Sequence, residues 1–460
     1  MKKALISLLV VAILASGLML TAAAANYEHI ADDLNELGLF RGTDNGYELD
    51  RAPNRIEGLV MLIRLLGLEE EALACEAENP FTDVSGWQVP YVAYAYETGL
   101  TTGTTETTYG PGSLCSAQMY VTFVLRALGY SSDEDGDFTY AGAIDFGKEV
   151  GIIDDLLAAG DFLRDQMVAV SYLALLAAPK DSDFECLLEK LVADGAVAED
   201  SAAALFAKLA LIAEFAAIDS DTEETGAIAM TMKIGADMGI MGSISINMDM
   251  SMIMDDDDIL AAIDMVMSMM GEEQAMQMYM VDGFVYINAD GEKVKMDAGL
   301  SDMGGMLAVA DVGQMTYSPL MIAEISKASE GDYTVYTVKI ASGVLDDVMG
   351  QATGMMGAVG LGDMGLGDMD MSLSISEMKF YTDADGSLKK VAMAMDISMA
   401  LDIGGVTMPI SMKMNIEVEI TAVGDDVKVE LPDDLDDYEE MDLEAALEDT
   451  LADTAHSDAA

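Results

Sequence analysis

Arginine is the residue type whose placement in this chain points most directly to chemistry. All six arginines lie within the first 164 of the 460 residues. They are Arg41, Arg51, Arg55, Arg64, Arg126 and Arg164. A guanidinium group can grip a carboxylate or a phosphate with two hydrogen bonds at once, so anion recognition is expected in this part of the chain.

The composition argues against several other kinds of function. With 83 acidic and 22 basic side chains, the formal net charge is −61, which repels phosphates and disfavours nucleic-acid binding. His29 and His456 are the only histidines, so most metal sites and histidine-activated nucleophiles are excluded. The three cysteines, Cys75, Cys115 and Cys186, lack CxxC spacing and are interpreted as small buried residues. Without Gly-x-Ser-x-Gly, HExxH or phosphate-loop motifs, we expect neither an enzyme nor a cofactor.

Residues 26–180 are self-similar, and we interpret them as three copies of one unit. The copies span residues 26–70, 80–130 and 137–180. In each copy a first helix ends at a glycine, where the positive φ that glycine tolerates stops the helix; these glycines are Gly38, Gly99 and Gly151. A loop and a second, amphipathic helix follow. Neither helix could bury its apolar stripe alone, so the copies are expected to pack into one all-α domain.

The middle copy resembles the S-layer homology family. It carries the family's motifs in order: Phe81-Thr82-Asp83-Val84, Trp87, Gly99-Leu100-x-x-Gly103 and Tyr109-x-Pro111. The family's Thr-Arg-Ala-Glu signature is matched by Asn54-Arg55-Ile56-Glu57, Cys115-Ser116-Ala117-Gln118 and Leu163-Arg164-Asp165-Gln166. In this alignment Ser116 stands where the middle copy should have its arginine, so at most two strong binding sites are predicted.

The resemblance implies a three-pronged helical module that binds anionic, often pyruvylated, secondary cell-wall polysaccharide and attaches a secreted protein to a Gram-positive type envelope. By position it assigns polymer binding to Arg55, Glu57 and Arg164, with Asp83 and Trp87 as groove partners. A helix start also favours anions, because its free N–H groups and dipole attract negative charge. Two alternatives stay open: the arginines pair with nearby carboxylates, and Trp87 belongs to the core.

Residues 1–25 are typical of a secretory signal peptide, with Lys2 and Lys3 before an apolar stretch and an Ala-x-Ala end. Cleavage is expected after Ala25. No cysteine that could carry a lipid follows the apolar stretch, and no later segment is apolar over transmembrane length. We therefore expect a secreted protein located at the cell wall and not spanning a membrane after cleavage.

The second half of the chain changes to a period of two residues. At residues 243–254 the even positions are apolar and most odd ones polar, and the alternation returns at 369–375, 391–403 and 412–420. This pattern predicts long antiparallel strands with one apolar face, joined by turns at Asp282-Gly283, Asp290-Gly291, Asp385-Gly386 and Gly404-Gly405. Residues 256–270 and 343–357 are interpreted as helices covering the sheet. The predicted fold class is α+β, with a large curved antiparallel sheet at 226–432.

The sheet region also resembles the lipoprotein-carrier class of half-barrels, on a hairpin with two Asp-Gly turns. The hairpin runs from Tyr279 to Tyr286 and continues as Asp290-Gly291-Glu292-Lys293-Val294-Lys295. The resemblance implies shelter for a lipid or another apolar ligand. The chain's 39 methionines could bind soft Cu(I), but flexible core filling is favoured, since no histidine or cysteine assists them in this half.

Three polar segments complete the organisation. Asp133, Asp135 and Asp137 imitate part of a calcium loop, but the distal Glu is missing, so a solvated turn is favoured and no metal site is expected. Residues 181–225 are predicted as a helical extension and linker. The acidic run 255–258 and the tail 433–460 are predicted to be solvated, the tail as a mobile segment.

These observations support a leading function and two competitors. The leading prediction is a wall-attached protein that presents a half-barrel for an apolar ligand. The first competitor is a structural envelope protein whose sheet has a filled core and no ligand. The second is an enzyme, which finds no motif in its favour, since carboxylate pairs occur by chance among 83 acidic residues.

Overall fold

The computed structural model describes residues 27–132, 136–158, 160–218, 226–237, 242–255, 258–269, 271–297, 319–341, 371–403 and 406–440. The fold is α+β, and the chain forms two compact units. We call Ala25–Ala210 with Pro319–Ala323 the helical unit, and Leu211–Ser318 with Glu324–Ala460 the sheet unit. The predicted signal peptide, residues 1–25, and the predicted helix 343–357 lie outside the described residues.

Ten helices precede the sheet in the described part of the chain. They are α1 Glu28–Glu36, α2 Arg55–Leu65, α3 Glu69–Leu73, α4 Gln88–Glu97, α5 Ala117–Ala127, α6 Ala143–Val150, α7 Asp155–Ala158, α8 Arg164–Leu176, α9 Leu187–Ala193 and α10 Glu199–Ala216. The predicted second helices of the three copies are α2, α5 and α8, and each packs against the other two. Gly38, Gly99 and Gly151 end α1, α4 and α6 with φ of 76°, 76° and 82°, as the stop signals predicted.

The core of the helical unit follows the helical period of its sequence. Leu59, Leu62 and Ile63 of α2 are fully buried, and Phe81 and Tyr109 from the loops around α4 are buried in the same unit. Such burial, at roughly 25 cal/mol per Å² of apolar surface, dominates the stability of a packed helix. The apolar spacing in the sequence therefore predicted the inward faces correctly.

The start of α5 differs from the alignment of the three signatures. Ser116 is the N-cap of α5, because its Oγ accepts the Met119 N–H, just as Asn54 caps α2 by accepting the Glu57 N–H. Ser116 is thus equivalent to Asn54, and Ala117 rather than Ser116 occupies the position of Arg55. A short side-chain oxygen is what an N-cap needs, and this requirement sets the register. The middle copy still lacks an arginine at this position.

The described strands of the second half form one 12-stranded sheet. Its strands are β1 Ala227–Asp237, β2 Ser243–Asp255, β3 Asp258–Met269, β4 Glu272–Val281, β5 Phe284–Ala289, β6 Glu292–Asp297, β7 Ile322–Glu330, β8 Tyr333–Ile340, β9 Met371–Thr382, β10 Leu388–Ile403, β11 Val406–Val423 and β12 Glu439–Glu440. The spatial order is β12-β6-β5-β4-β3-β2-β1-β11-β10-β9-β8-β7. Neighbouring pairs are antiparallel from β6 across to β8, whereas β12 pairs parallel to β6.

The predicted alternation of apolar and polar side chains is confirmed in the strands. In β1, Met230, Met232 and Ile234 are buried while Lys233 is exposed, and in β11 Met414 and Ile416 are buried. Tight turns occur at Asp282-Gly283 and Asp290-Gly291, where both residues of each pair have positive φ. Gly386 also has positive φ in the turn between β9 and β10, and Gly404-Gly405 lies outside the described residues.

Two predictions for the second half were wrong. Residues 258–269 form strand β3, not a helix, and pair along their length with β2 and β4. Their short, nearly continuous apolar run is compatible with either structure, and strand partners on both sides decided it. The beginning of the tail also differs from a mobile segment: Glu439–Glu440 is β12, and Tyr438 is 5% exposed with its ring 5.4 Å from that of Tyr286.

Candidate functional site

The start of α2 is built around a reciprocal cap between Asn54 and Glu57. The Asn54 Oδ1 accepts the Glu57 N–H at 3.0 Å, and the Glu57 Oε2 accepts the Asn54 N–H at 2.8 Å. The next two N–H groups, of Arg55 and Ile56, donate to the carbonyls of Ser113 and Pro111 at 2.7 and 3.2 Å. The amides that a carboxylate could have used are therefore bonded to the loop before α5.

Arg55 lies under that same loop and is 8% exposed. Its Nη2 donates to the Thr102 carbonyl at 2.8 Å, and its guanidinium carbon lies 4.7 Å from the centre of the Tyr109 ring. Its Nη1 lies 3.6 Å from the Met119 sulfur, and its buried Nε has no hydrogen-bond partner. Arg55 thus binds a carbonyl and an aromatic face, not a carboxylate.

Arg164, the first residue of α8, is 4% exposed and makes an equivalent set of contacts. Its Nε donates to the Tyr47 carbonyl at 2.9 Å, and its guanidinium lies 5.5 Å from the centre of the Phe40 ring. Its Nη1 lies 3.6 Å from the Glu57 Oε1. Burial lowers the pKa of Arg164, and the Glu57 charge opposes that shift.

Glu57 connects α8 to the loop before α2. Arg51 donates to both of its oxygens, at 2.7 and 3.0 Å, in a two-point ion pair, and Arg164 approaches from the other side. Burial alone would raise the pKa of Glu57, but hydrogen bonds from Arg51 and Asn54 outweigh burial and hold the pKa below its usual value. The alternative that arginine pairs with a carboxylate thus holds for Arg164 and not for Arg55.

Asp83 and Trp87 occupy different environments. Both carboxylate oxygens of Asp83 accept backbone N–H groups, from Tyr109 and Gly110, each at 2.8 Å. The Tyr109 hydrogen bond is the main cause that lowers the pKa of Asp83. Trp87 precedes α4 and is 61% exposed, with one edge contact to Tyr91 at 6.1 Å, so it is not a core residue.

The five predicted site residues therefore form two clusters and one exposed ring. Glu57 and Arg164 contact each other, and Asp83 fixes the loop whose Tyr109 ring covers Arg55. The sequence analysis named Arg51 only among the six arginines and assigned neither Arg51 nor Tyr109 a role in the site. A Tyr seven residues before each of the first two N-caps, at Tyr47 and Tyr109, was the available signal.

In the sheet unit, buried methionines line the inward positions of the strands. They are Met230, Met232, Met252, Met265, Met276, Met278, Met280, Met378, Met393 and Met414. Residues 211–216 at the end of α10 belong to this unit, with the Phe215 ring 4.7 Å from that of Phe380 and Glu214 accepting the Tyr336 hydroxyl at 2.8 Å. A depression of 450 Å³ lies on the opposite, polar side, beside Lys233, Gly235 and Lys379. No helix in the described ranges is long and apolar enough to span a membrane.

Comparisons with known proteins match one segment of the chain to a family and find one relative among cell-wall proteins. Residues 80–116 match the family model of the S-layer homology domain. A stretch of 115 residues is 30% identical to the middle cell wall protein of Brevibacillus brevis, covering 24% of this chain and 11% of that protein. The chain thus spans only a small part of this relative's length.

Two solved structures align with about half of the chain. LprF from Mycobacterium bovis is 11% identical, with a TM-score of 0.27 over 48% of this chain and 96% of its own. A LolA superfamily protein from Nitrosomonas europaea is 9% identical, with a TM-score of 0.18 over 50% and 96%. TM-scores this low do not establish a shared fold.

Proposed function

We propose that this chain is a secreted protein held non-covalently at the cell wall by three S-layer homology copies at residues 26–180, which bind anionic secondary cell-wall polysaccharide. The S-layer homology match and the cell-wall relative indicate a location at the cell surface. The proposal includes no catalytic step and no cofactor.

The observation that carries the proposal is a repeated link between the copies. The loop of the middle copy, through Ser113 and Pro111, accepts the first N–H groups of α2 in the first copy. The loop of the first copy, through Arg51 and Leu49, accepts the first N–H groups of α8 in the third copy, at 2.9 and 3.1 Å. The same kind of bond at both links, from the middle copy to the first and from the first to the third, supports three equivalent units, two of them diverged from the motifs of the middle one.

In this proposal the five predicted residues have different roles in polymer binding. Trp87 offers an open aromatic face on which a sugar ring can stack. Arg55, Arg164 and Glu57 set the groove walls, since each joins two copies, and Asp83 holds the loop above Arg55. A pyruvyl carboxylate on the polymer would reach Arg55 or Arg164 by replacing the carbonyl that each now binds.

Co-sedimentation of the purified full chain with isolated cell walls tests attachment. Walls that retain their secondary polymer are expected to pull the protein down, whereas walls stripped of it by hydrofluoric acid leave it in solution. Trp87→Ala is expected to weaken binding by about tenfold, since one stacked ring contributes about 1–1.5 kcal/mol. Tyr140→Ala, which removes another exposed ring of the helical unit, is the matched control.

The arginines are tested separately. Arg55→Ala with Arg164→Ala is expected to release the protein from walls, with circular dichroism establishing that the helices persist. Attachment undiminished in this double variant would contradict a role for these residues in polymer binding. Equal binding to stripped and unstripped walls would contradict attachment through the polymer.

For the sheet unit we propose binding of a lipid or another apolar ligand against the methionine-lined face. The support is the number of buried methionines, whose flexible side chains suit an adaptable apolar surface. Native mass spectrometry of the full chain purified from its host would show a bound lipid as added mass, removed by solvent extraction. A ligand-free mass with undiminished stability favours a purely structural role for the sheet.

A further inference from the structure

The helical unit contains a cavity of 820 Å³ where the C-terminal ends of four helices meet. Helices α1, α2, α5 and α9 end beside it, at Gly38, Gly67, Gly129 and Gly195. Arg55 and Ala117 begin α2 and α5, so the cavity lies at the other end of these helices, about 15 Å along their axes at ~1.5 Å per residue. It is therefore distinct from the helix starts that hold Arg55 and Arg164.

Glu69, the first residue of α3, organises one wall of the cavity. Its Oε1 accepts from the Arg64 Nε and the Tyr91 hydroxyl, each at 2.8 Å, and its Oε2 lies 3.0 Å from the Arg41 Nη1 in an ion pair. The Glu69 side chain is largely buried, and burial would raise its pKa. The bonds from Tyr91 and Arg64 outweigh that effect and lower the pKa, so Glu69 is ionised at neutral pH.

Two guanidinium groups share this one carboxylate, and one positive charge is left over. Each arginine contacts Glu69 through a single nitrogen, Arg64 in a hydrogen bond and Arg41 in an ion pair, and a guanidinium carries further N–H donors in a planar fork. Both arginines line the cavity, and the side chain of Arg41 is 60% exposed. Glu69 thus positions two guanidinium groups at the cavity, and their remaining N–H groups can donate to an incoming oxyanion.

The other arginines of the helical unit are engaged differently. Arg55 and Arg164 are buried against carbonyls and aromatic rings. Arg51 donates to two carboxylates, those of Glu48 and Glu57. Arg126 also lines the cavity, and it donates to the Ser132 hydroxyl through two nitrogens. Arg41 and Arg64 differ from these arginines because two guanidinium groups pair with one carboxylate, that of Glu69.

The remaining charges on the cavity wall set the class of ligand. Lys180 and Lys190 line it and pair with Asp137 and Asp194. Glu70, Glu71 and Asp181 also line it and are exposed. A densely charged polyanion would meet these carboxylates, whereas the hydroxyls of a sugar can donate to them. The wall therefore suits a saccharide that carries a single oxyanion, and the volume accommodates more than one sugar ring.

We infer that this cavity is a saccharide site in which Arg41 and Arg64, aligned by Glu69, bind one carboxylate or phosphate group of an acidic sugar. The inference rests on the proposed function for its natural source, an anionic wall polymer, and it adds a second contact remote from Arg55 and Arg164. Trp87 lies next to Tyr91, whose hydroxyl bonds Glu69, so an exposed stacking surface adjoins the arginine pair.

The helix ends provide a competing reason for basic residues here. Arg64, Arg126 and Lys190 stand in the last turns of α2, α5 and α9, where cations are favoured by the helix dipole. That reason does not extend to Arg41, which lies in a loop beyond α1. Arg41→Gln is thus the variant that separates ligand binding from helix stabilisation.

The test is a titration of the purified full chain with D-glucuronic acid and D-glucose 6-phosphate, with neutral D-glucose as the reference, followed by saturation-transfer NMR. Saturable binding is expected for an acidic sugar and not for glucose, and the preferred acid distinguishes carboxylate from phosphate. Arg41→Gln is expected to weaken binding about tenfold, because a charge-assisted hydrogen bond is lost. Lys148→Gln makes the same charge change elsewhere in the helical unit and is expected to have no effect.

Two results would overturn the inference: no saturable binding of either acidic sugar, or equal affinity of Arg41→Gln and the unaltered chain. Wall co-sedimentation then separates the two proposals. If Arg41→Gln sediments with walls as well as the unaltered chain does, the cavity is not a polymer contact and attachment stands. If the unaltered chain binds acidic sugars but not walls, attachment through the polymer fails while the cavity site stands.

Discussion

The helical unit and the sheet unit are each stabilised by a different kind of internal interaction. In the helical unit, buried polar groups join residues far apart in sequence: Arg164 to Tyr47, Arg55 to Thr102 and Asp165 to the Tyr27 N–H. In the sheet unit, most strands pair with their neighbours in sequence, and flexible methionines fill the inward face. Buried polar links accept one partner geometry, whereas an apolar face accepts many side chains. The helical unit should therefore be the less tolerant of substitution.

The largest expected effect is that of Arg164→Ala. It removes the donor to the Tyr47 carbonyl and leaves Glu57 partly buried beside one arginine instead of two, at a cost of about 4 kcal/mol. Urea unfolding followed by circular dichroism at the helical band measures the loss. Arg51→Ala, at a more exposed arginine on the same carboxylate, is the control and should cost about 1 kcal/mol. Equal costs would show that burial does not distinguish the two arginines.

Tyr438→Ala tests whether the start of the acidic tail belongs to the sheet. The ring is buried against Tyr286, and Lys293 lies over it while pairing with Asp434, so its loss should cost about 3 kcal/mol. Hydrogen exchange of the β6 amides, read by mass spectrometry, should accelerate accordingly. Tyr333→Ala at an exposed ring of the same unit is the control. Unchanged exchange in β6 would restore the prediction of a mobile tail.

Asp165 gives the helical unit a pH dependence near neutral pH. Burial raises the pKa of Asp165 to about 6, above about 3.9 in the unfolded chain, so the folded state holds its proton more tightly. This group's contribution to stability is therefore greatest below pH 4 and is lost as pH rises to about 6. Asp165→Asn should raise the stability of the helical unit by about 1 kcal/mol at pH 7 and by much less at pH 4. A gain of equal size at both pH values would exclude the carboxyl as its cause.

Met252→Leu should have the smallest effect, about 0.5 kcal/mol, because the volumes match and the site is apolar. Met252 is 1% exposed, so Met252→Ala is the informative contrast and should cost about 3 kcal/mol by leaving a cavity. Hydrogen exchange of β2 reports both. A cost of several kcal/mol for the leucine variant would mean that the sheet demands methionine specifically, which would favour a role for the sulfur.

Local signals in the sequence predicted the features that depend on a few neighbouring residues. The stops at Gly38, Gly99 and Gly151, the Asp-Gly turns and the alternation in β1 and β11 all follow from backbone preference or side-chain period. The helix prediction for residues 258–269 was wrong because their apolar run fits a strand and a helix equally well. The alignment of the three signatures was wrong by one residue at Ser116, because sequence similarity did not show that the Ser116 hydroxyl caps the helix.

Local sequence signals did not predict which groups the site residues contact. Arg55 and Arg164 were identified as important by position, but the carbonyls of Thr102 and Tyr47 that bind them lie 47 and 117 residues away. Contacts of this kind depend on how loops of separate copies pack together. The cluster of Arg41, Arg64 and Glu69 was not predicted either, because it also depends on packing between separate segments and its residues belong to no shared motif.

The sequence by itself determined where helices end, which faces of the strands are apolar, that the arginines gather in one third of the chain, and that the middle copy resembles an S-layer homology domain. Each of these depends on residue type and spacing over a few residues. Only the tertiary structure decided that Arg55 and Arg164 are buried, that Trp87 is exposed, that the tail begins with a strand of the sheet, and that two arginines share Glu69 at a cavity. These depend on desolvation and packing between distant segments, which the spacing of residues along the chain does not record.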